Sequence, residues 1–295
     1  MNIGFIGYGE VGFEMSKGFL EEGIETILVY DYLYESEIVQ NRVEETGVIL
    51  CRTYEELLQH PLDVLFLAVP AHQSNNVWKK VINLLNNDTI YVDVTTSTAT
   101  EKKEVFETLM NKEKLFVDAA LMGPLTVHKH QVPINASGNG ASLFEKLMTP
   151  YKMNISTIST VPGEATNIKF IRSIYMKGIS ALLVEVLFVA HDLGLEDIVL
   201  ESISKSMDEM PFERITNRLI TGSVTHSARR VVEMENVIQF LNENGKDAAM
   251  AVATRDKLKW LTDLELKDKF NNNIPKEWKE VFNQISEGGK VNESV

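Results

Sequence analysis

The sequence predicts an α/β protein in which a doubly wound, mostly parallel sheet is followed by an all-helical second domain. Short apolar segments alternate with amphipathic helical segments through the first half of the chain. Residues 64–69 are almost wholly apolar, which is typical of a strand covered by helices on both faces of a parallel sheet. Beyond Pro162 and Gly163 the strand signals nearly vanish and helical periodicity takes over.

The strands predicted in the first half are short apolar runs bounded by polar or glycine-containing segments. They cover residues 2–6, 26–30, 64–69, 89–94, 115–121, 132–136 and 155–159. Helical spacing of apolar residues predicts helices over residues 11–22, 54–58, 76–85 and about 101–110. Strands that alternate with helices in this way are expected to form a parallel sheet.

The second half of the chain carries helical patterns. Helices are predicted over residues 166–192, 197–207, 212–220, 228–242 and 248–261, with Pro211, Gly222 and Gly245 between them. The change of character sets a predicted domain boundary near residue 162, so the two domains cover residues 1–162 and 163–295. The polar tail from residue 271 is expected to fray.

The amino-acid composition indicates which classes of binding partner and which cellular compartment to expect. The net charge is −13 and no lysine or arginine tract is present, which argues against nucleic acid and anionic membranes as partners. The single cysteine, Cys51, excludes an internal disulfide, and the first residues form a strand rather than a signal peptide. The most apolar later stretch, residues 179–190, is short for a bilayer span and contains Glu185. We therefore expect a soluble, cytoplasmic protein.

A glycine-rich turn follows the first predicted strand and opens the first predicted helix. In a G-x-G-x-x-G pattern, Gly7 permits a tight turn, Gly9 lets the backbone approach a pyrophosphate, and Gly12 lets the helix pack closely on the strand. The helix N-terminus offers N–H groups and a positive dipole end to the phosphates. The predicted cofactor contacts at this Rossmann-type turn are Gly7, Tyr8, Gly9, Glu10, Val11 and Gly12.

Asp31 ends the second predicted strand, where an acid can accept hydrogen bonds from both ribose hydroxyls and repel a 2′-phosphate. No arginine follows it directly, so NAD is predicted in preference to NADP. Val69 and Pro70, at the end of the third predicted strand, and Thr95, after the fourth, complete the predicted cofactor contacts. The alternative is a purely structural glycine turn with a helix-capping Asp31.

Four segments together carry a resemblance to a known family. They are the glycine turn, Asp-Val-Thr-Thr-Ser at 93–97, Asp-Ala-Ala-Leu-Met-Gly-Pro at 118–124, and Gly-Glu-Ala-Thr-Asn-Ile-Lys at 163–169. The chain resembles the β-hydroxyacid dehydrogenase family, related to 6-phosphogluconate dehydrogenase and 3-hydroxyisobutyrate dehydrogenase, over almost its whole length. The residues of these motifs are most similar to those of a poorly characterised branch of the family that has a distinct helical C-terminal domain. The resemblance implies a homodimer or higher homo-oligomer.

Lys169 and Ser173 take the catalytic positions that this resemblance implies. The matching lysine of the family transfers a proton at the substrate hydroxyl, and Ser173 stands where the family has an asparagine that shares this work. The two residues are four apart, so they share a helix face. The start of the long helix, just past the domain boundary, predicts a position in a cleft between domains. A solvated surface lysine is the alternative.

The substrate contacts implied by the resemblance are Thr96, Met122 and Gly123. Met122 replaces the serine of the family and Pro124 its second glycine, so the usual carboxylate contact loses a hydroxyl, although the backbone N–H of Gly123 remains. Ala99 stands where the family has a proline. These departures predict a substrate other than 3-hydroxyisobutyrate, for example a sugar or polyol acid. Alternatively, both segments merely end strands.

Two further groups of residues are candidates for binding a substrate or a metal ion. His226, Arg230 and Glu233 fall on one helix face, and Arg230 is a candidate ligand for a substrate carboxylate or phosphate. An ion-pair cluster is the alternative. The run His128-Lys129-His130 lacks a cysteine or carboxylate at ligand spacing, so no metal site is predicted.

Together these features predict an NAD-dependent dehydrogenase that transfers a hydride between the nicotinamide and the CH–OH carbon of a small hydroxy acid, or its oxo form. Lys169 is the predicted general base in oxidation and general acid in reduction. One alternative is an imine-reductase-like enzyme, which shares the architecture but generally lacks the lysine. Another is a cofactor-binding regulatory or interaction protein without turnover, suggested by the changed asparagine and serine positions.

Overall fold

The computed structural model describes residues 1–110 and 113–289. Within them, eight strands form one sheet in the order β3-β2-β1-β4-β5-β6-β7-β8. The strands are β1 (Asn2–Ile6), β2 (Thr26–Tyr30), β3 (Ile49–Cys51), β4 (Val64–Leu67), β5 (Ile90–Asp93), β6 (Leu115–Leu121), β7 (Ile134–Ser137) and β8 (Ile155–Ser159). The predicted α/β fold class with a doubly wound sheet is confirmed.

Strand direction decides where functional groups gather. Strands β1 to β6 are mutually parallel, whereas β7 runs antiparallel to β6 and β8 runs parallel to β7. The carboxyl ends of β1 to β6 therefore share one edge of the sheet. The chain order reverses between β1 and β4, and open α/β sheets bind ligands beyond the strand ends at such a point.

Helices cover both faces of the sheet. They are α1 (Glu10–Glu21), α2 (Glu37–Thr46), α3 (Tyr54–Leu58), α4 (Ser74–Val81), α5 (Ala99–Met110), α6 (Leu125–His128) and α7 (Ala141–Met148). Alternate residues of one strand enter two different cores. Phe66 packs with Phe5 and Phe19 in one core, and the next residue, Leu67, lies with Trp78 in the other.

The sequence analysis missed β3, α2 and the reversal of the last two strands. Strand β3 has three residues at the sheet edge, and its first residue, Ile49, is exposed, so it lacks a long apolar signal. Helix α2 buries one residue, Val39, and its mean hydropathy is low. The connection from β6 to β7 contains the four-residue α6 and a 3-10 turn instead of a crossover helix, which suits an antiparallel pair.

The C-terminal part is helical, as predicted. Its helices are α8 (Glu164–Asp192), α9 (Glu196–Asp208), α10 (Phe212–Glu243), α11 (Ala249–Asp263), α12 (Leu266–Lys269) and α13 (Trp278–Gly289). The separate helices predicted over 212–220 and 228–242 are wrong, because α10 continues through Gly222. A single glycine costs a helix only about 1 kcal/mol and does not have to end it.

The predicted fraying from residue 271 is also wrong in part. Helix α13 forms there because its apolar residues recur at helical spacing, and Val281 is buried in a core with Val224 and Leu266. Residues 290–295, to which the same prediction applied, lie outside the described residues.

The chain divides into two compact units, Met1–Ile174 and Tyr175–Val295. This division falls inside α8, whereas the composition changes near residue 162, where that helix is about to begin. The first turns of α8 belong to the first unit because their backbone and side chains bond to β6 and β7.

Among the described residues, α8 is the helix that is long and apolar enough to cross a membrane, by length and composition alone. The prediction that the apolar stretch at 179–190 is too short to span a bilayer is wrong, because this stretch is part of a 29-residue helix. Only 11% of the most apolar window is buried.

His130, in the connection from β6 to β7, packs against α1. Its Nε2 lies 2.9 Å from the carbonyl oxygen of Tyr151, which has no proton to donate, so this nitrogen carries a proton and donates the bond. The ring lies against Phe19, 5.1 Å between centroids, and occupies the space that a Cβ at Gly18 would need. Burial lowers the pKa of His130, while the Tyr151 carbonyl raises it in part.

The stability of the fold should therefore depend on pH through His130. Above the ordinary pKa of 6.5 both the folded and the unfolded chain hold this ring neutral, so its contribution is fully present. Below that value the unfolded chain binds a proton that the buried ring resists. The free energy of unfolding should then fall by up to about 1.4 kcal/mol per pH unit.

Urea unfolding at a series of pH values measures this slope, and His130→Gln, which keeps an N–H for the Tyr151 carbonyl, should remove it. The matched control is His128→Gln, because His128 lies two residues away and is exposed. An unchanged slope in folded His130→Gln would contradict the prediction.

Candidate functional site

Gly7 and Gly12 are glycines because the chain's own packing requires it. Gly7 has φ +97°, in the left-handed region, and a Cβ there would collide with the carbonyl oxygen of Ala68. A Cβ at Gly12 would lie 2.6 Å from the carbonyl oxygen of Gly7. These two glycines therefore set the tight turn and the close approach of α1 to β1.

Gly9 differs, because nothing in the protein requires a glycine at this position. Its φ of −71° and ψ of −157° suit other residues, and a Cβ would meet no atom within 4 Å. Gly9 is the N-cap of α1, and no side chain among the described residues caps that end. Open space beside amides at a helix N-terminus is what a diphosphate needs. The turn therefore fits a dinucleotide.

Asp31, just beyond β2, holds this turn from the side. Its Oδ2 accepts a hydrogen bond from the backbone N–H of Tyr8 at 2.7 Å, and its Oδ1 accepts one from Leu33 at 2.9 Å. Asp31 does not cap α2, because the hydroxyl of Ser36 does so. The carboxylate thus stands at the carboxyl end of β2, next to the glycine turn.

The fold brings an arginine to the turn that the sequence analysis did not assign. Nη1 of Arg42, from α2, donates to the carbonyl oxygen of Tyr8 at 3.0 Å, and its guanidinium lies 5.4 Å from the ring centroid of Phe13. The side chain of Tyr8 is buried, with its hydroxyl 2.9 Å from Oγ1 of Thr46. The backbone of Tyr8 is therefore fixed on both sides, by Asp31 and by Arg42.

The remaining predicted cofactor contacts follow β4 and β5, at the same edge as the turn. Val69 is half-buried and Pro70 is exposed. Thr95 is buried, with its hydroxyl 3.0 Å from Oγ of Ser97, whereas Thr96 is exposed. The exposed hydroxyl at this strand end is thus that of Thr96.

The predicted substrate segment follows β6. The N–H of half-buried Met122 donates to the carbonyl oxygen of Pro133 at 2.8 Å, and Gly123 is exposed. The carbonyl oxygen of Met122 accepts a hydrogen bond from Nη1 of Arg172 at 3.1 Å. Arg172 is exposed and brings a cationic group to this strand end, which the sequence analysis did not assign to the site.

The first turn of α8 is fastened to the middle of β6 by Asp118. Oδ2 of Asp118 accepts the backbone N–H groups of Gly163 and Thr166, both at 3.0 Å, and Oδ1 accepts the hydroxyl of Thr166 at 2.7 Å. Ser137 accepts the N–H of Ala165 at 3.1 Å. Side chains of β6 and β7 therefore replace an ordinary N-cap and satisfy amides that a helix start leaves unpaired.

Lys169 lies between two attachments of α8 to β6. Thr166, Lys169 and Arg172 follow one another at three-residue spacing and share a helix face. Thr166 bonds to Asp118 within β6, and Arg172 bonds to Met122 just beyond its end. Lys169 is half-buried between these two bonds, and half-buried Ser173 follows one turn later.

A buried ionic cluster underlies this arrangement. Nζ of Lys102 lies 2.6 Å from Oδ1 of Asp93 and 3.6 Å from Oδ1 of Asp118, and all three side chains are inaccessible to solvent. Burial raises the pKa of Asp93, but the Lys102 ammonium and hydrogen bonds, among them one from Trp78, outweigh it and hold this pKa below its ordinary value. The burial of Lys102 could not be predicted from the sequence, because Lys102 lies within Glu-Lys-Lys-Glu, a pattern typical of an exposed helix face.

Arg230, the remaining predicted substrate contact, belongs to the second unit, on α10. Its Nη1 donates to the hydroxyl of Ser223 at 2.7 Å, and the neighbouring Arg229 pairs with Glu233 at 3.2 Å. Arg229 therefore forms an ion pair, whereas Arg230 bonds to a neutral hydroxyl.

Neither metal nor cysteine chemistry has a structural basis in the described residues. No group of three His, Cys, Asp or Glu there could hold a metal ion. Burial raises the pKa of the Cys51 thiol to about 11, which makes it a poor nucleophile at neutral pH.

The fold and the glycine turn define a Rossmann-type dinucleotide-binding domain. Residues 2–147 match the NAD binding domain of 6-phosphogluconate dehydrogenase, and residues 190–261 match a domain of unknown function, DUF1932. Over residues 2–147 the chain therefore resembles the NAD-binding domains of 6-phosphogluconate dehydrogenases, which agrees with the predicted resemblance.

Three similar proteins extend this comparison. An uncharacterized 28.5 kDa protein of Methanothermus fervidus is 28% identical over 263 residues, which cover 89% of this chain and 100% of that protein. A conserved protein of unknown function, reported as structurally similar to 3-hydroxyacid dehydrogenases, is 29% identical with a TM-score of 0.59, covering 89% and 97% of the two chains.

The third is an imine reductase from Myxococcus stipitatus, solved with NADP+. It has a TM-score of 0.73 and 15% identity, and the match covers 89% of this chain and 94% of the reductase. At that identity the likeness concerns the fold alone. The similar proteins whose descriptions refer to an activity are oxidoreductases or resemble them.

The glycines of the turn should respond differently to the same substitution. Gly9→Ala should fold with nearly the wild-type melting temperature, because its Cβ enters open space. It should bind NADH at least about tenfold more weakly, or about 1.4 kcal/mol, because the methyl group takes up the room beside the helix N-terminus.

The matched control, Gly12→Ala, should lower the melting temperature, because its Cβ lies 2.6 Å from the Gly7 carbonyl oxygen. Thermal unfolding and NADH fluorescence titration measure the two effects. Wild-type affinity for NADH in folded Gly9→Ala would contradict the assignment of this turn to a diphosphate.

Proposed function

We propose that this protein is a cytoplasmic, NAD-dependent dehydrogenase that interconverts a small hydroxy acid and its oxo form, with Lys169 as general acid/base. One observation carries the proposal. The bonds from Thr166 to Asp118 and from Arg172 to Met122 flank Lys169 along α8, and Met122 follows β6 at the sheet edge that also bears the glycine turn. Dinucleotide binding and a proton-transfer group are thus offered at the same end of the parallel strands.

The chain's residues divide the work of the reaction. A bound nicotinamide dinucleotide supplies the acceptor or donor of the hydride. The Lys169 amine takes the proton of the substrate hydroxyl in oxidation, and the ammonium returns it to the carbonyl oxygen in reduction. The exposed hydroxyl of Thr96 and the Ser173 hydroxyl are the proposed partners of substrate oxygens.

The substrate carboxylate has a proposed partner of its own. The family's serine is replaced by Met122, so the hydroxyl that would contact an acid is missing. Arg172 is anchored on the Met122 carbonyl through Nη1, and its remaining N–H groups form a fork suited to a carboxylate. With the backbone of Gly123, Arg172 supports a small acid as substrate, and a sugar or polyol acid fits the added polar groups.

Asp31 supports NAD over NADP. Its carboxylate stands beside the turn, where it can accept ribose hydroxyls and repels a 2′-phosphate. Arg42 is a nearby cation that could favour NADP, but it already bonds to the carbonyl oxygen of Tyr8 and lies over Phe13.

Imine reduction is the second candidate function, because the imine reductase fold aligns with a TM-score of 0.73. A lysine at position 169 argues for hydroxy acid chemistry instead. A protein that binds the dinucleotide without turnover is the third possibility, since Ser173 reaches less far than asparagine.

Lys169→Met should lower kcat/KM at least about 100-fold for the best substrate of a panel of hydroxy acids, oxo acids and cyclic imines. The dissociation constant for NADH should stay within about twofold, because the turn is formed by other residues. Steady-state assays with NAD and NADP in parallel test the reaction and the cofactor preference together.

Lys80→Met is the matched control, because Lys80 is an exposed lysine of α4 and has no proposed role in binding, catalysis or assembly. It should keep wild-type turnover. Near-wild-type activity of Lys169→Met would contradict the mechanism, and turnover of imines alone would favour the second candidate. Higher kcat/KM with NADP would contradict the role given to Asp31.

We also propose that the protein is a homodimer in which a second copy covers α8. Apolar side chains surround this helix on all sides, yet most of them are exposed. They include Ile171, Ile174, Met176, Leu183, Val184 and Phe188. A helix that is apolar all round is normally buried, and soluble monomers rarely expose so large an apolar surface. The charges of Lys169, Arg172, Lys177 and Glu185 along α8 favour a protein partner over lipid.

Light scattering coupled to size exclusion should give twice the monomer mass for the full chain. Val184→Glu should shift it to the monomer, because Val184 is 68% exposed and a charge there opposes burial by a partner. Ile38→Glu, at a 65% exposed residue of α2, should keep the dimer. A wild-type monomer, or one that floats with lipid vesicles, would contradict this proposal.

A further inference from the structure

We propose that Asp118, Lys102 and Asp93 form a positioning device that sets the place of Lys169 and the loop after β5 relative to one another. This inference rests on the proposed function, because it concerns the proton-transfer group named there. The three side chains are completely buried and do not reach solvent, so they act through the elements they hold.

Asp118 fixes α8 through three hydrogen bonds. Its two bonds to the N–H groups of Gly163 and Thr166 set the position of the first turn along β6. The bond from the Thr166 hydroxyl at 2.7 Å sets the rotation of the helix about its axis. Lys169 follows Thr166 by three residues on the same face, so its direction depends on that rotation.

Asp93 fixes the loop after β5 from the same cluster. Its Oδ1 accepts the backbone N–H of Thr95 at 2.9 Å, and its Oδ2 accepts Ser74 and the indole N–H of Trp78 at 3.0 and 2.8 Å. Thr96, the proposed substrate contact, is the next residue along this loop. The position of its hydroxyl therefore depends on Asp93.

Lys102 joins the two carboxylates. Asp93 and Asp118 are direct neighbours in the register of β5 and β6, and Nζ of Lys102 contacts both, together with the carbonyl oxygen of Asp93 at 3.0 Å. Two carboxylates share one ammonium, and the second carboxylate, that of Asp118, faces the positive N-terminus of α8. The charge of the cluster is thus balanced only while the N-terminus of α8 lies against Asp118.

This balance makes the arrangement rigid. A buried charge that loses a partner is costly, so small displacements of α8 are opposed more strongly than they would be by apolar packing. A catalytic proton transfer needs that precision, because a misplacement of 1 Å can lower a rate by about 100-fold.

The main variants keep the cluster charged. Thr166→Val removes only the hydroxyl bond to Asp118, and Thr166→Ser keeps it. Lys114→Gln is the control for a changed buried hydrogen bond elsewhere, because Lys114 is 5% exposed, donates to the carbonyl oxygen of Leu85 at 2.9 Å, and lies at the opposite end of β6. Asp118→Asn is the more severe variant and is compared only if it folds.

Two readouts are measured on each folded variant. The first is kcat, which should fall about tenfold in Thr166→Val while KM for NAD stays unchanged. The second needs no turnover: it is the pH profile of amine labelling at Lys169, quantified by peptide mass spectrometry, with the exposed Lys80 of α4 as internal reference. It should shift in Thr166→Val and return to the wild-type profile in Thr166→Ser.

The outcomes separate this inference from the proposed function. Wild-type kcat and labelling in folded Thr166→Val would overturn the positioning role, as would an equal shift in Lys114→Gln. Absence of turnover in the wild type, together with the expected labelling shift, would contradict the proposed function and support the placement of Lys169 by Asp118.

Discussion

The hydrogen bonds that the Asp118 carboxylate accepts from the first turn of α8 are the constraint on which the candidate site depends. A helix start leaves N–H groups that need acceptors, and here a carboxylate of a neighbouring strand provides them. That choice makes β6 part of the helix cap. The same bonds would be replaceable by a local serine or threonine cap if only helix stability mattered, and such a cap would not fix α8 to the sheet.

Parallel strand direction does the rest of the assembly. The glycine turn, Asp31, the loop at Thr95 and the segment at Met122 come from distant parts of the sequence, and they gather because their strands end at one edge. Lys169 comes from a helix that follows β8, a strand of opposite direction. The hydrogen bonds of Thr166 and Arg172 attach that helix to β6 and to the residue after its end, and they flank Lys169 along the chain.

Much of this could be predicted from the sequence, where local pattern and structure agree. The strands at 115–121 and 155–159 and the helix at 54–58 have the predicted bounds because their apolar spacing is regular. The site was predictable where a motif carries geometry, as at Gly7 and Gly12. Lys102 was not, because burial of a lysine between charged neighbours depends on two carboxylates that only the folded sheet brings together.

Helix α8 shows why pattern alone misjudges some segments. Its apolar residues lie on all sides of the helix. The pattern therefore does not predict which side is buried against the rest of the protein, and the sequence indicates only that the segment is helical. The structure separates its parts: the first turns are fastened to β6 and β7, and the later turns present exposed apolar groups. One helix thus bears Lys169 near its start and the proposed dimer surface further along. A substitution in the proposed dimer surface therefore changes the same helix that carries the proposed proton-transfer group.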